Sequence, residues 1–401
     1  MGIGGPDKTA VEFDGDWKNF IPIALTNSFL NIVTLGFYRF WATTRERKFF
    51  WSHTRVIDDQ LEWTGTGLEL FIGFIVALLL LGIPFVILNL VAQGAILQGA
   101  PIVAGILALM VYIFLLAIIG LAIFRGLRYR LSRTYWHGIH GGSDNPGFTY
   151  SLSYFWKTIV GIVTLGLLIP WASTSLWKER WQQMSFGPHT FVSNPRWQVV
   201  MKRFLLCFLL PIGIVVALVA IAAASAQGGD GGIAAGIAVG SFVLILYIAL
   251  PLLALIYYAA YTREVVSSLS LSKLEFEFTA RSLDWLLLFL GNLGLSILAF
   301  FVGLIAASIF GGLGTLGALA TSGPEALQAG IIAPTAIVLM SIAFIIPFML
   351  VGPFVRLRTW AFFIRHFEIG GEVNLDELTQ STTAELKQGE GLLDAFDMGA
   401  I

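Results

Sequence analysis

Long uncharged runs dominate the chain, and short polar segments punctuate them. Leu70 to Phe124 holds no charged residue and is too long for one helix. Gln93, Gly94, Gln98, Gly99 and Pro101 supply a polar turn, so the pattern predicts two spans near 70–92 and 101–124. Phe204–Ala226 with Gly232–Tyr261, and Trp285–Phe310 with Ile331–Val355, predict two more pairs. Gly232, Gly236 and Gly240 form a small-residue ladder, which predicts a close helix-packing face. Two further uncharged runs, 19–38 and 158–177, are barely long enough to cross a bilayer. The first is interrupted by Pro22, Asn27, Asn31 and Gly36.

Between the runs, alternating apolar and polar positions predict short strands. They fall at Val11–Phe13, Leu61–Thr64, Phe148–Ser151, Phe191–Ser193, Leu274–Thr279 and Phe367–Val373. Val56 to Gly65 reads as a hairpin turning at Asp58-Asp59. Together these strands predict a small β layer under the membrane.

Each apolar run gives way to a basic, aromatic helix. Gly36-Phe-Tyr-Arg-Phe-Trp41 opens the first, which carries Arg39, Arg45, Arg47 and Lys48 and closes on Trp51 and His53. Leu127, Leu131 and Tyr135 alternate with Arg125, Arg128, Arg130 and Arg133 in the next. Ile162-Val-Thr-Leu-Gly166 repeats Ile32-Val-Thr-Leu-Gly36, and Lys178 and Trp181 then fall in register with Lys48 and Trp51. A third copy runs from Phe354 through Arg356, Arg358 and Arg365 to His366. The expected units are 1–150, 151–280 and 281–373, followed by an acidic tail over 374–401.

Charge decides the expected topology. If every uncharged run crossed the membrane, the basic segment over 178–203, with Lys178 and Arg180, would face away from the others. Basic residues in short loops stay cytoplasmic. If 19–38 and 158–177 instead enter and return, all basic segments share the cytoplasmic face and both termini lie inside. The expected class is therefore an all-α polytopic membrane protein, with six transmembrane helices in three hairpins, two re-entrant segments, internal repeats and short cytoplasmic strands.

Composition agrees with that class. The 401-residue chain is 57% hydrophobic and 12% charged, against about 25% charged for an average soluble domain. A single cysteine, Cys207, leaves no intramolecular disulfide. The N-terminal stretch Met1–Asn19 lacks the apolar core of a secretory signal.

With these residues laid out, the chain resembles the YjgN-like family of bacterial inner-membrane proteins, whose domain is of unknown function. The resemblance rests on Thr34-Leu-Gly36-Phe-Tyr38-Arg-Phe-Trp41-Ala, Arg45, Arg47 and Trp51-Ser-His53-Thr54. Thr64-Gly-Thr-Gly67 with Glu69-Leu-Phe71 also fits, as do Asp376-Glu-Leu-Thr-Gln380 and Gly389-Glu-Gly391. The third copy departs from it, with Phe348-Met-Leu-Val-Gly352-Pro353 in place of the Thr-Leu-Gly signature. The resemblance implies a bacterial inner membrane and supplies no catalytic residue, substrate or cofactor.

Candidate chemistry is sparse. No phosphate-binding loop, nucleophile elbow or zinc-protease motif occurs, so no enzyme, cofactor or metal is expected. His53, His137, His140, His189 and His366 read as interfacial hydrogen-bonding groups. Basic residues are diluted along the membrane face, which argues against nucleic acid. Membrane lipids are the expected partners, with room for a homo-oligomer. Arg45, Arg47, Lys48, Arg128, Arg130, Lys178, Arg180, Arg356 and Arg358 are the candidates for headgroup contact and topology. Asn27, Asn31, Thr34 and Asn292 are the candidates to line a pathway. The expected function is passive or weakly coupled transport of a small solute or lipid. The alternative is a scaffold or sensor that binds a cytoplasmic partner.

Overall fold

The computed structural model describes residues 10–225, 231–322 and 334–371. The connections at Gln227–Asp230 and Pro324–Glu325, and the acidic tail, lie outside them.

Strand β1 (Val11–Phe13) leads into α1 (Trp17–Val33), a turn, and α2 (Arg39–Ser52). Strands β2 (Thr54–Val56), β3 (Asp59–Gln60) and β4 (Glu62–Trp63) follow. A first long excursion comprises α3 (Gly67–Ala77), α4 (Ile83–Leu97) and α5 (Pro101–Arg133). It returns to β5 (Thr134–Trp136) and β6 (Ile139–Gly142). Helices α6 (Phe148–Val163) and α7 (Ile169–Trp181) lead to β7 (Ser185–Phe186) and β8 (His189–Ser193). Helices α8 (Trp197–Ser225) and α9 (Gly231–Ser267) lead to β9 (Leu269–Leu271) and β10 (Leu274–Phe278). Finally α10 (Ser282–Ser322) and α11 (Pro334–Arg365) end on β11 (Phe367–Gly371).

Local chemistry sets several of these ends. Thr66 accepts from the Glu69 amide at 3.3 Å and starts α3, with Glu69 in the first turn. Between α3 and α4 a π-helical turn spans Leu78–Gly82. It lies just before Pro84, which has no N–H to continue the α-helical ladder. Among the described residues, six segments are long and apolar enough to cross a membrane. They are Gly67–Leu97, Pro101–Arg133, Trp197–Ala217, Ile245–Ser267, Ser282–Gly317 and Ala336–Arg365.

The strands organise the helices. All pair antiparallel, in an eight-stranded sheet ordered from β11 down to β4 and a three-stranded sheet β1-β2-β3. Only Leu61 separates β3 from β4, and β11 lies beside β1. Every helical excursion therefore leaves from one strand and returns to its neighbour. β1 and β2 bracket α1–α2, and β4 and β5 bracket α3–α5. β6 and β7 bracket α6–α7, β8 and β9 bracket α8–α9, and β10 and β11 bracket α10–α11.

Two sequence expectations are corrected, and a third fails at the one residue where it is described. Phe148–Ser151 is the first turn of α6, not a strand: Gly147 takes the left-handed conformation and its carbonyl accepts from the Ser151 amide at 2.9 Å. The first hairpin turns one residue early, on Ile57-Asp58, because Asp59 already pairs with Val56. The close glycine face is not at Gly240, which has open space around it; Gly232 and Gly236 are not among the residues whose surroundings are described. The tight seam joins α10 to α11: a Cβ at Gly303 would stand 2.8 Å from the Phe344 carbonyl oxygen, and one at Gly314 would stand 2.4 Å from Ala336 Cβ. In addition, the basic helix after Phe124 is the unbroken end of α5, and Tyr135 belongs to β5.

Candidate functional site

The two short helix pairs share one construction. At the end of α1 the Gly36 amide donates to Asn31 O at 2.7 Å and the Leu35 amide to Ile32 O at 3.1 Å. At the end of α6 the Gly166 amide donates to Gly161 O at 2.7 Å and the Leu165 amide to Ile162 O at 2.9 Å. This bonding pattern puts the penultimate residue in the left-handed region, where glycine usually sits. Here a leucine occupies it both times, with φ 52° at Leu35 and 52° at Leu165. Thr34 Oγ1 donates to Leu30 O and accepts from the Tyr38 amide, and Thr164 does the same with Val160 and Leu168. The Thr-Leu-Gly motif is thus a turn motif. The turns present apolar side chains outward: Leu35 is 90% exposed and Leu165 83%.

Beside the first pair lies an open cleft of about 970 Å³. Pro22, Ile23 and Thr26 of α1 form one wall, and Arg45, Lys48, Phe49 and Ser52 of α2 form the second. The segment Asp59–Trp63 closes it. Phe49 and Trp63 are buried, whereas Arg45, Lys48, Gln60 and Glu62 are exposed. Arg45 stands over the Tyr38 ring at 5.6 Å. Among the described residues neither Arg45, Lys48 nor Glu62 makes an ion pair. Asp59 is engaged: Oδ1 accepts from the Gln60 amide at 2.8 Å and Oδ2 from the His137 amide at 3.3 Å.

The other predicted basic residues mostly contact other parts of the protein rather than the cleft. Arg47 is buried over the Trp63 ring at 5.0 Å. Arg356 forms a two-pronged ion pair with buried Glu46, Nε to Oε2 at 2.6 Å and Nη2 to Oε1 at 2.9 Å. Arg128 donates to Asn145 O at 3.1 Å and Lys178 to Asn194 Oδ1 at 2.9 Å. Arg180 lies over Trp177, Arg130 is half-buried, and the Arg358 guanidinium fills the space above Gly291. The cleft gathers only Arg45 and Lys48 of that set.

Of the pathway candidates, Asn27, Asn31 and Thr34 fall on one side of α1 and its cap by helical spacing, whereas Asn292 lies on α10. Asn27 is buried and donates to Ala42 O at 3.3 Å, fastening α1 to α2. Asn31 and Asn292 each keep a buried amide oxygen with no partner among the described residues. Thr34 closes the turn.

Two ion pairs escaped the sequence reading. Lys157 on α6 is buried and pairs with Glu179 and Ser175 of α7. Glu69 holds both Arg133 at 3.0 Å and Tyr129 at 2.8 Å, tying the start of α3 to the end of α5. The signal was opposite charge at the two edges of an apolar run: Lys157 before and Glu179 after one, Glu69 before and Arg133 after the other. The histidines cap or bridge: His53 Nδ1 lies 2.8 Å from Phe49 O, His366 Nδ1 lies 2.9 Å from Phe362 O, and His137 contacts Asp58 at 2.9 Å. No group of three or more potential metal ligands forms among the described residues.

The sequence profile of a bacterial protein family of unknown function, DUF898, matches residues 8–395. The chain belongs to this family. No curated protein and no solved structure matches it. The family's match takes in both short helix pairs, the cleft and the whole sheet, so these features fall inside the family domain.

Proposed function

We propose that this is an inner-membrane protein whose strands and termini all face the cytoplasm, and that it moves an amphiphile or small solute passively between leaflets or across the bilayer. One observation carries the reading: each helical excursion starts and ends on neighbouring strands. An excursion anchored that way returns to the side it left. Three excursions are long enough to cross and come back. The other two are α1–α2, of 17 and 14 residues, and α6–α7, of 16 and 13 residues. At about 1.5 Å per residue these reach at most about 25 Å, short of a hydrocarbon core of about 30 Å. Their apolar exposed turns suit half-insertion, and both enter beside basic residues. The two pairs read as copies within repeat units.

The cleft supports the amphiphile. It joins exposed cations to apolar walls at the foot of a half-inserted pair. No catalytic step is part of this reading. The scaffold alternative has one supporting observation: Glu277 and Glu368 face each other across β10–β11, a like-charge pair that a basic partner would relieve.

Single cysteines in a Cys207→Ser background test the topology. A membrane-impermeant maleimide is expected to reach Q98C only from outside, S272C only from the cytoplasm, and L35C and L165C from neither side. Labelling of L35C or L165C from outside would overturn half-insertion. For the activity, liposomes carrying the protein are expected to expose inner-leaflet fluorescent lipid to dithionite faster than empty ones. Equal rates would remove lipid movement from the reading.

A further inference from the structure

Charges that share a space without pairing are the least explained feature of the cleft. On its α2 wall, Arg45 and Lys48 are one helical turn apart and exposed. On the closing segment stands Glu62, also exposed. None of the three forms an ion pair among the described residues, so each cation stands more than the 4.0 Å limit of a salt bridge from the carboxylate. Four ion pairs elsewhere match charge with charge: Glu46 with Arg356, Glu69 with Arg133, Lys157 with Glu179, Arg55 with Glu12. Other exposed charges, such as Lys202, Lys273 and Glu275, have no ion pair among the described residues, but none of these lines the cleft. Asp59, the other carboxylate of the lining, is taken up by the Gln60 and His137 amides. A cleft of about 970 Å³ that keeps two cations apart from the Glu62 carboxylate therefore has room for something that bridges them.

The surroundings say what else the occupant carries. Pro22 and Thr26 of the cleft lie on the same stripe of α1 as Leu25, Phe29 and Val33, by helical spacing. Leu25, Phe29 and Val33 are exposed, and Val33 adjoins the apolar turn. An apolar track thus leads from the charged cleft along α1 to the tip of the pair.

We propose that the cleft binds a lipid with a zwitterionic headgroup, its phosphate on Arg45 and Lys48, its primary ammonium on Glu62, and an acyl chain along Leu25, Phe29 and Val33. Guanidinium and ammonium donors suit phosphate oxygens, and an exposed carboxylate accepts from an ammonium that has N–H groups. A lipid with an anionic headgroup and no ammonium leaves Glu62 unmatched and facing its phosphate. A quaternary ammonium has no N–H to donate. The inference rests on the cleft opening to the cytoplasmic leaflet, which the maleimide mapping decides separately.

The test uses full-length protein in detergent, titrated with phosphatidylethanolamine, phosphatidylglycerol or phosphatidylcholine and read by native mass spectrometry. Phosphatidylethanolamine is expected to bind about tenfold more tightly than either of the others, the scale of one charge-assisted contact. Glu62→Gln is expected to abolish that preference while leaving phosphatidylglycerol bound at least as well. Arg45→Gln with Lys48→Gln is expected to weaken all three. Phosphoethanolamine, the headgroup without chains, is expected to compete only at far higher concentration. A wild-type protein that does not discriminate among the three lipids, or a preference untouched by Glu62→Gln in a protein that melts normally, would overturn the proposal. Competition by phosphoethanolamine at the lipid's own concentration would overturn the acyl track and leave a soluble zwitterion as the ligand. If L35C is labelled from outside while these preferences hold, the topology fails and the cleft stands.

Discussion

Leu35 and Leu165 occupy backbone positions that favour glycine. For an L-residue the left-handed region costs about 1–2 kcal/mol, so a leucine there needs an offsetting gain. Transfer of a leucine side chain out of water supplies about 2 kcal/mol. The sign of Leu35→Gly therefore reports where the tip sits. In nanodiscs the variant is expected to lose about 1 kcal/mol of unfolding stability if the tip lies in hydrocarbon; a gain of that size would place it in water. The Glu46–Arg356 pair gives a second asymmetric test. Glu46 keeps 4% of its side chain exposed and Arg356 40%. Removing the arginine strands a buried carboxylate, whereas removing the glutamate leaves a guanidinium that can turn to water. R356A is expected to cost about 3 kcal/mol and E46A about 1 kcal/mol, with E46A/R356A recovering part of the larger loss. Thermal unfolding followed by tryptophan fluorescence in detergent would show the order, and equal losses would contradict it.

At the scale of elements, long uncharged runs announced the spans because a bilayer demands about 20 apolar residues. Leu274–Phe278 was legible for a similar reason: one face of β10 meets the core through Phe278 while Glu275 and Glu277 stay exposed. Phe148–Ser151 misled because alternation over four residues also fits the first turn of a helix whose cap, Gly147, lies just before it. At Gly240 the expected close glycine face is not found, because spacing reveals small residues but not which neighbour they meet; Gly232 and Gly236 lie outside the residues whose side-chain surroundings are described. Gly314 touches Ala336 of α11, while the equally well-spaced Gly240 touches nothing. The cleft was only half visible, since Arg45 and Lys48 advertise themselves whereas Glu62 comes to line the same cleft only through the β2–β3 hairpin that turns the chain back beside α2. The seam makes its own prediction. Gly314→Leu drives a large side chain into backbone contact and is expected to cost about 1–3 kcal/mol, whereas Gly240→Leu stays near neutral in the same thermal assay. The reverse order would move the seam to α9.

For the molecule as a whole, the first short helix pair and α11 are sewn together. Phe20 of α1 meets Phe354 of α11, and Ser28 donates to Met349 O at 3.1 Å. Arg356 holds Glu46, and Trp360 donates to Thr54 Oγ1 at 3.0 Å while its ring stacks on Trp51 at 4.6 Å. Trp51 in turn donates to Thr134 Oγ1 at 2.9 Å, so the end of α5 joins the same chain of contacts. The second short pair, α6–α7, rests instead on α5, α8 and α9. Loss of α11 should therefore be felt first in α1 and α2. A chain ending at Ser322 would leave Glu46 without its counter-ion and Phe20 without part of its cover. Hydrogen exchange over residues 17–52 is expected to accelerate by about a hundredfold or more, the effect of losing a few kcal/mol of local stability. Exchange over residues 148–181 should change little. Equal loosening of both short pairs would mean that the sheet, rather than the α1–α11 seam, holds the first pair in place.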